Sequence, residues 1–382
     1  MQIILPLACL SGAFAAVLEL PIWVRNSYTV VEVKVGTPPV SHFLQFDTGS
    51  ATTWMDDASC AGTDACPNSS GYTRVGYNAS GSSTSAAMNT TASADYLGGD
   101  ISGSGFLDSF TLPSAPSAKW TQSFMSVDNS TWSTTAADGF LGLAFSTIDD
   151  AGTTSLVETL MQDGKLDKPR FGLYLGSETN DTGAGAGSGL LTLGSSHETT
   201  YGNGSLTWIG LQNPGPDAEL WRTNIQYLVG TTSTGNRSTT QAIGDWAVFD
   251  TGAGRISVPD ELIDDIYASI GMNYTAIING ETIPLCEDFT DAWGLEVVLG
   301  SAYDPQTVTV TGSMLKQPGF ATGEDKYCWP PFDTTGFGGL FLFGQEFLQN
   351  FYTVFDFGAF NTTAYNAQIG FAPLKEEYRV LV

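Results

Sequence analysis

Twice in this chain an apolar, strand-like run leads straight into Asp-Thr-Gly, and twice a second apolar run with an embedded glycine follows at nearly the same distance. Phe43-Leu44-Gln45-Phe46 leads into Asp47-Thr48-Gly49-Ser50, and Ala137-Asp138-Gly139-Phe140-Leu141-Gly142-Leu143 comes later; Trp246-Ala247-Val248-Phe249 leads into Asp250-Thr251-Gly252-Ala253-Gly254, and Gly339-Leu340-Phe341-Leu342-Phe343-Gly344 comes later. Asp138 lies 91 residues beyond Asp47, and Leu340 lies 90 beyond Asp250. Equal internal spacing in two halves predicts an ancestral duplication, with two lobes related by a pseudo-twofold axis. Length agrees, because 382 residues exceed what one ordinary core holds. The lobes are expected at 16–177 and 178–382.

A third Asp-Thr-Gly, at Asp181, sits in Ser177-Glu178-Thr179-Asn180-Asp181-Thr182-Gly183, a stretch almost without apolar side chains. It reads as an exposed loop joining the halves, and a solvated loop cannot hold a carboxylate in register. Asp47 and Asp250 instead stand where buried strands end and glycine turns begin, so each is delivered rigidly into the interior. Other short β-type runs start at Tyr28, Phe171, Gly189, Leu206 and Tyr352, whereas helical spacing is clear only at 154–162 and 259–270. With abundant Gly, Ser, Thr and Asn between the runs, the fold class is mainly β.

Forty acidic residues against 14 Lys plus Arg give a net charge of −26, so the chain repels polyanions and nucleic acid is excluded as a partner. Protonation in acid relieves that self-repulsion, which suits an acidic workplace. The opening 1–15, MQIILPLACLSGAFA, fits the apolar core and small-residue cleavage site of a secretory signal. No run has the length of a membrane span, so a secreted, extracellular protein without a stable membrane anchor is expected, and a monomer. Cys9 would leave with the signal; Cys60, Cys66, Cys286 and Cys328 remain, an even number suited to an oxidising compartment. Three pairings are open, the local one across Ser59-Cys60-Ala61-Gly62-Thr63-Asp64-Ala65-Cys66 being the simplest. Two histidines, His42 and His197, are too few for a metal site, and no metal or cofactor is expected. Nine glycosylation sequons stand at Asn68, Asn78, Asn89, Asn129, Asn180, Asn203, Asn236, Asn273 and Asn361, of which some are expected to carry glycan.

Two buried carboxylates brought together by pseudo-symmetry cannot both ionise; they share a proton and titrate as a unit. Such a pair is base and acid at once: the ionised oxygen activates water, and the protonated one hydrogen-bonds the amide carbonyl under attack.

In Phe46-Asp47-Thr48-Gly49-Ser50 with Trp54 beyond it, Ala137 to Leu143, Phe249-Asp250-Thr251-Gly252, and Leu342-Phe343-Gly344-Gln345-Glu346-Phe347-Leu348 running into Phe351-Tyr352-Thr353-Val354-Phe355-Asp356, the chain resembles the pepsin-like aspartic proteases, of the secreted fungal type. The likeness covers nearly all of the mature sequence. It implies a bilobal pepsin-like acid protease fold with a cleft between the lobes, and an aspartic-type endopeptidase acting on protein or peptide substrates, with apolar residues about the cut. By resemblance Asp47 and Asp250 are the catalytic dyad, supported by Thr48, Gly49, Ser50, Thr251 and Gly252, the two threonines cross-bracing the loops. A flap carrying Tyr96, Gly99 and Asp100 would close over substrate, with Tyr96 hydrogen-bonded to Trp54. Disulfides Cys60–Cys66 and Cys286–Cys328 follow from the same likeness.

Three departures stand out. Ala253 replaces the usual Ser or Thr, removing one hydroxyl donor from Asp250 and predicting a raised pKa there and an altered pH optimum. Leu97-Gly98 follows Tyr96 where glycine usually comes first, which bears on detailed specificity. About a dozen residues separate Ala15 from the strand at Tyr28, without the longer basic propeptide of the family, so the expectation is either no zymogen or a truncated start. The rival from another class is a non-catalytic pepsin-fold binding protein or inhibitor; a serine or cysteine hydrolase is weaker, since neither histidine is placed as a nucleophile's base.

Overall fold

The structure is a computed structural model, and it describes residues 16–25, 27–176 and 187–379. The signal segment 1–15, the Asp181 loop with the Asn180 sequon, and the lobe boundary at 177/178 lie outside the described residues.

The first half builds β1 (Leu18–Arg25), β2 (Tyr28–Val35), β3 (Val40–Asp47), β4 (Trp54–Asp56), β5 (Ala86–Tyr96), β6 (Gly99–Leu112), β7 (Ala115–Ser130), β8 (Gly139–Gly142) and β9 (Arg170–Tyr174). The second adds β10 (Leu190–Leu193), β11 (Thr207–Gly210), β12 (Arg222–Thr231), β13 (Arg237–Gln241), β14 (Trp246–Phe249), β15 (Ile256–Val258), β16 (Gly294–Ser301), β17 (Asp304–Thr311), β18 (Asp333–Thr334), β19 (Leu340–Phe343), β20 (Phe351–Asp356) and β21 (Gln368–Pro373). The strand-like runs of the sequence all become strands, and the two helical patterns become helices Leu156–Gln162 and Ile263–Ser269. The second helix starts after Pro259, because the intervening residues form a turn closed by Leu262 N–H on the Pro259 carbonyl at 3.0 Å.

Two sheets result. The larger runs β11-β21-β20-β9-β10-β1-β2-β3-β8-β4-β7-β6-β5, and the smaller runs β17-β16-β12-β14-β19-β15-β18 with β13 on β12. Strands covered on both faces read as continuous apolar runs: every residue of β20 is buried, and so are β8 and most of β9. The half-exposed hairpin β5–β6 alternates instead, with exposed and half-buried residues along β5.

The duplication is visible in strand order. β3 lies parallel to β8 with Phe46 opposite Leu141, and β4 closes antiparallel on β8 with Trp54 opposite Phe140. β14 lies parallel to β19 with Phe249 opposite Phe343, and β15 closes antiparallel on β19 with Ile256 opposite Phe343. Each half thus carries a strand that ends at its Asp-Thr-Gly, wedged against a returning apolar strand. That pairing explains the spacing near 90 residues, since the second run must come back beside the first.

Candidate active site

The two Asp-Thr-Gly loops meet face to face. Thr48 N–H donates to Thr251 Oγ1 at 3.0 Å and Thr251 N–H to Thr48 Oγ1 at 2.9 Å. Each hydroxyl then donates onward to the strand of the other half, Thr48 to the Phe249 carbonyl at 2.7 Å and Thr251 to Phe46 at 2.9 Å. Both threonines are fully buried, so four hydrogen bonds in a dry setting lock the loops in register.

Glycine follows each threonine because the opposite carboxylate leaves no room. A Cβ on Gly49 would lie 2.5 Å from Asp250 Cγ, and one on Gly252 would lie 2.6 Å from Asp47 Oδ1. The carboxylates are held unequally. Asp47 accepts Gly49 N–H at 2.8 Å on Oδ1 and the Ser50 hydroxyl at 2.5 Å on Oδ2. Asp250 accepts Gly252 N–H at 2.7 Å, and Ala253 supplies no hydroxyl. Burial first, and then the charge of Asp47, push the Asp250 carboxyl well above the usual carboxylate range. Two carboxyls crowded into one junction resist ionising together, so the pair favours keeping one proton between them and can offer an acid and a base to one reacting group.

The β5–β6 hairpin reaches over this side of the molecule with Leu97-Gly98 as its two-residue turn. Tyr96 packs edge-on against Trp132 and Phe140, both at 5.9 Å between ring centroids, and Trp54 stacks on Phe140 at 4.9 Å. Burial first, and then the nearby Asp47 charge, raise the Tyr96 phenol, so it stays protonated. Tyr96 Oη and Trp54 Nε1 approach one another, yet neither completes a hydrogen bond of ordinary geometry in this conformation. The hairpin tip is seated on the segment after β7: Asp100 N–H donates to Thr131 Oγ1 at 2.7 Å, and a Cβ on Gly98 would fall 2.5 Å from the Trp132 ring. Gly99 lies against the same Thr131 and Trp132, while the Asp100 side chain is exposed.

Several residues that shape the site escaped the sequence reading. Trp132 is one. Arg74 is another: almost fully buried, it pairs with Asp56 at 2.8 Å and donates to the Trp132 and Thr135 carbonyls, fixing the seat of the hairpin tip. Gln45 and Gln345 donate from their side-chain amides to the Gly252 and Thr251 carbonyls at 3.2 and 2.8 Å. A glutamine inside the apolar run before Asp47 was the available signal, because a polar side chain in a buried strand has to have a partner.

Cys60–Cys66 and Cys286–Cys328 are disulfides. Asp56 with Cys60 and Cys66 is the metal-like grouping found among the described residues, and both its sulfurs are taken by the disulfide. Asn78, Asn89, Asn129, Asn203, Asn236, Asn273 and Asn361 are exposed, whereas Asn68 is half-buried with its amide donating to the Tyr72 carbonyl at 2.6 Å. Among the described residues no helix is long and apolar enough to cross a membrane.

Paired aspartates on crossed Thr loops, each at the end of a wedged strand in a duplicated β fold, define an aspartic-type endopeptidase of pepsin-like architecture. The chain belongs to the eukaryotic aspartyl protease family, whose sequence model matches residues 27–374. Similar proteins include gastricsin of Mus musculus, 26% identical over 371 residues covering 95% of this chain and 84% of the relative. Rhizopuspepsin-1 of Rhizopus niveus is 31% identical over 329 residues, covering 85% of this chain and 75% of the relative. Gastricsin of Homo sapiens is 24% identical over 350 residues, covering 89% and 80%.

Proposed function

We propose that this chain is a secreted endopeptidase that cleaves peptide bonds in acid, with Asp47 and Asp250 as the dyad and apolar residues preferred about the cut. One observation carries the reading: two carboxylates meet at a junction braced by two buried threonines, and Asp250 is pushed toward its protonated form by burial and by Asp47. Asp47, with Ser50 and Gly49 as donors, carries the negative charge and draws a proton from water. Asp250 donates its proton to the carbonyl oxygen as the tetrahedral carbon forms, and the water's proton then passes through the pair to the leaving amine. The hairpin tip with Tyr96, Gly99 and Asp100 covers the substrate backbone, and Trp54 lies behind Tyr96.

Secretion is supported by the signal-like start, the two disulfides and seven exposed sequons. The same features fit a glycosylated extracellular monomer with its lobes divided near 177/178. Cleavage of a denatured protein between pH 2 and 6, blocked by a statine-type inhibitor and abolished by Asp47→Asn, is the expected result. No cleavage over that range would favour a non-catalytic binder instead.

A further inference from the structure

Asp250 lacks the hydroxyl that Ser50 gives Asp47, and what stands in its place lies behind the loop. The donors that favour the ionised Asp250 carboxyl are the N–H groups of Gly252 and Ala253, the first at 2.7 Å from Oδ1. They belong to two consecutive peptide groups, Thr251–Gly252 and Gly252–Ala253. The oxygen of the first peptide accepts Gln345 Nε2 at 2.8 Å, and that of the second accepts Gln45 Nε2 at 3.2 Å. Each peptide is therefore gripped at its carbonyl by a side-chain amide; the N–H of the first serves the Asp250 carboxyl directly, and that of the second, Ala253 N–H, closes the loop on the Asp250 backbone carbonyl at 3.3 Å beside that carboxyl. Hydrogen bonds in series through one peptide polarise each other, so a donor on the oxygen strengthens the N–H on the far side.

The arrangement is absent from the other half. Counting from the aspartates, Val248 stands where Gln45 does, and Leu143, following Gly142, stands where Gln345 follows Gly344. In the first half Leu143 N–H bonds the Asp47 and Ser50 carbonyls at 2.8 and 3.0 Å, and Ala144 N–H bonds Ser50 at 2.9 Å, all through backbone. Both glutamine amides bond the loop whose aspartate lacks the hydroxyl. Gln45 is 1% exposed and its Oε1 has no partner, a costly position for an amide unless its one donor bond has a use.

We propose that Gln345 and Gln45 are positioning residues for Asp250, acting through the two loop peptides as Ser50 acts directly on Asp47. This rests on the endopeptidase reading of the dyad. The titratable groups around Asp250 are Asp47 across the junction, with Tyr96 of the hairpin near Asp47, and Arg255 and Glu346 behind the loop, where Arg255 also pairs with Asp333. None of these is altered in the test.

The variants are Gln345→Leu and Gln45→Leu, alone and combined with Ala253→Thr, which supplies the missing hydroxyl. Weakening the N–H donors disfavours ionised Asp250, so the alkaline limb of kcat/KM against pH should move up by about 0.5 to 1 pH unit. kcat should fall about tenfold with KM nearly constant, and Ala253→Thr should bring the limb back down. Should Gln345→Leu fail to fold, Gln345→Glu keeps the shape but cannot donate once ionised, and should move the limb in the same sense. Carbon-13 titration of the aspartate carboxyls reads the same shift without turnover. A wild type that cleaves no peptide sinks the endopeptidase reading, while the carboxyl titration still decides the relay. An Asp250 titration and pH profile superposable on wild type with only a lower Tm, or no rescue by Ala253→Thr, overturns the proposal.

Discussion

Gly49 and Asp250 stand so close that a single methyl on Gly49 would sit 2.5 Å from the Asp250 carboxyl carbon. The relation is reciprocal, since Gly252 crowds Asp47 in the same way. Gly49→Ala or Gly252→Ala should therefore wedge the carboxylates apart while the threonine bonds hold the loops. A displacement of even an ångström at a reacting pair costs about 100-fold. The expected outcome is a kcat/KM at least that much lower with near-native circular dichroism; retained activity would contradict the contact.

Stability should fall as pH rises from acid to neutral. Burial pushes Glu346 to about 7, with Arg255 opposing, pushes Asp149 to about 7, with Glu158 adding to it, and pushes Asp138 to about 6. Free carboxyls titrate near 4, so between about pH 4 and 7 the native state keeps protons that the unfolded chain has lost. These contributions are complete below the unfolded values and vanish as pH climbs through the folded ones. His42 acts in the opposite direction: burial lowers it to about 4, so its contribution is present above about 6.5 and is lost as pH falls. Three carboxyls outweigh one imidazole, and urea midpoints should decline from pH 4.5 to 7. Glu346→Gln should recover roughly 2 to 3 kcal/mol at pH 7, and His42→Gln should help only in acid. Midpoints that rise toward neutrality would refute the scheme.

Arg74 joins the stability of the first lobe to the seat of the β5–β6 hairpin. Its side chain is 3% exposed and that of Asp56 is 1% exposed, so Arg74→Met leaves a buried carboxylate without its partner. Loss of about 3 to 5 kcal/mol is expected in denaturant titration, and most of it should return in Arg74→Met/Asp56→Leu. KM should rise in both variants, because the Trp132 carbonyl loses its anchor and the hairpin seat loosens. An unchanged KM would detach Trp132 from substrate binding.

The two disulfides should differ in weight. Cys286–Cys328 closes 42 residues and Cys60–Cys66 closes 6. Loop-closure entropy assigns about 4 kcal/mol to the first and about 2 to the second. Replacing each pair by alanine and comparing unfolding midpoints checks the order.

The sequence discloses what repeats and hides what does not. Asp47, Asp250 and their strands are legible because the flanking apolar runs recur, and the cysteine pairs follow from the family likeness. The long hairpin of β5 and β6 is not, since Ala86–Tyr96 is mostly small and polar and offers no apolar alternation to detect. β16 and β17 went unread for a related reason: β17 pairs along its whole length with β16, and its sequence, DPQTVTVT, opens on turn-like residues. Trp132, Arg74, Gln45 and Gln345 act through contacts between residues distant in the chain, which no local pattern encodes. The strand β20 was expected as a strand, but not that Thr353 to Asp356 would pair with Arg170 to Leu173.

That last pairing bears on how the protein is made. β20 and β21, near the end of the described chain, sit in the larger sheet against β9 and β11, and through β9 and β10 they connect to β1 near its beginning. A nascent chain that has not yet released Phe351–Pro373 from the ribosome has the Asp47 loop but an unfinished floor beneath it. Because long-range strand pairing completes late, the dyad should assemble only after translation of both halves. A chain that ends before Phe351 should therefore lack peptidase activity.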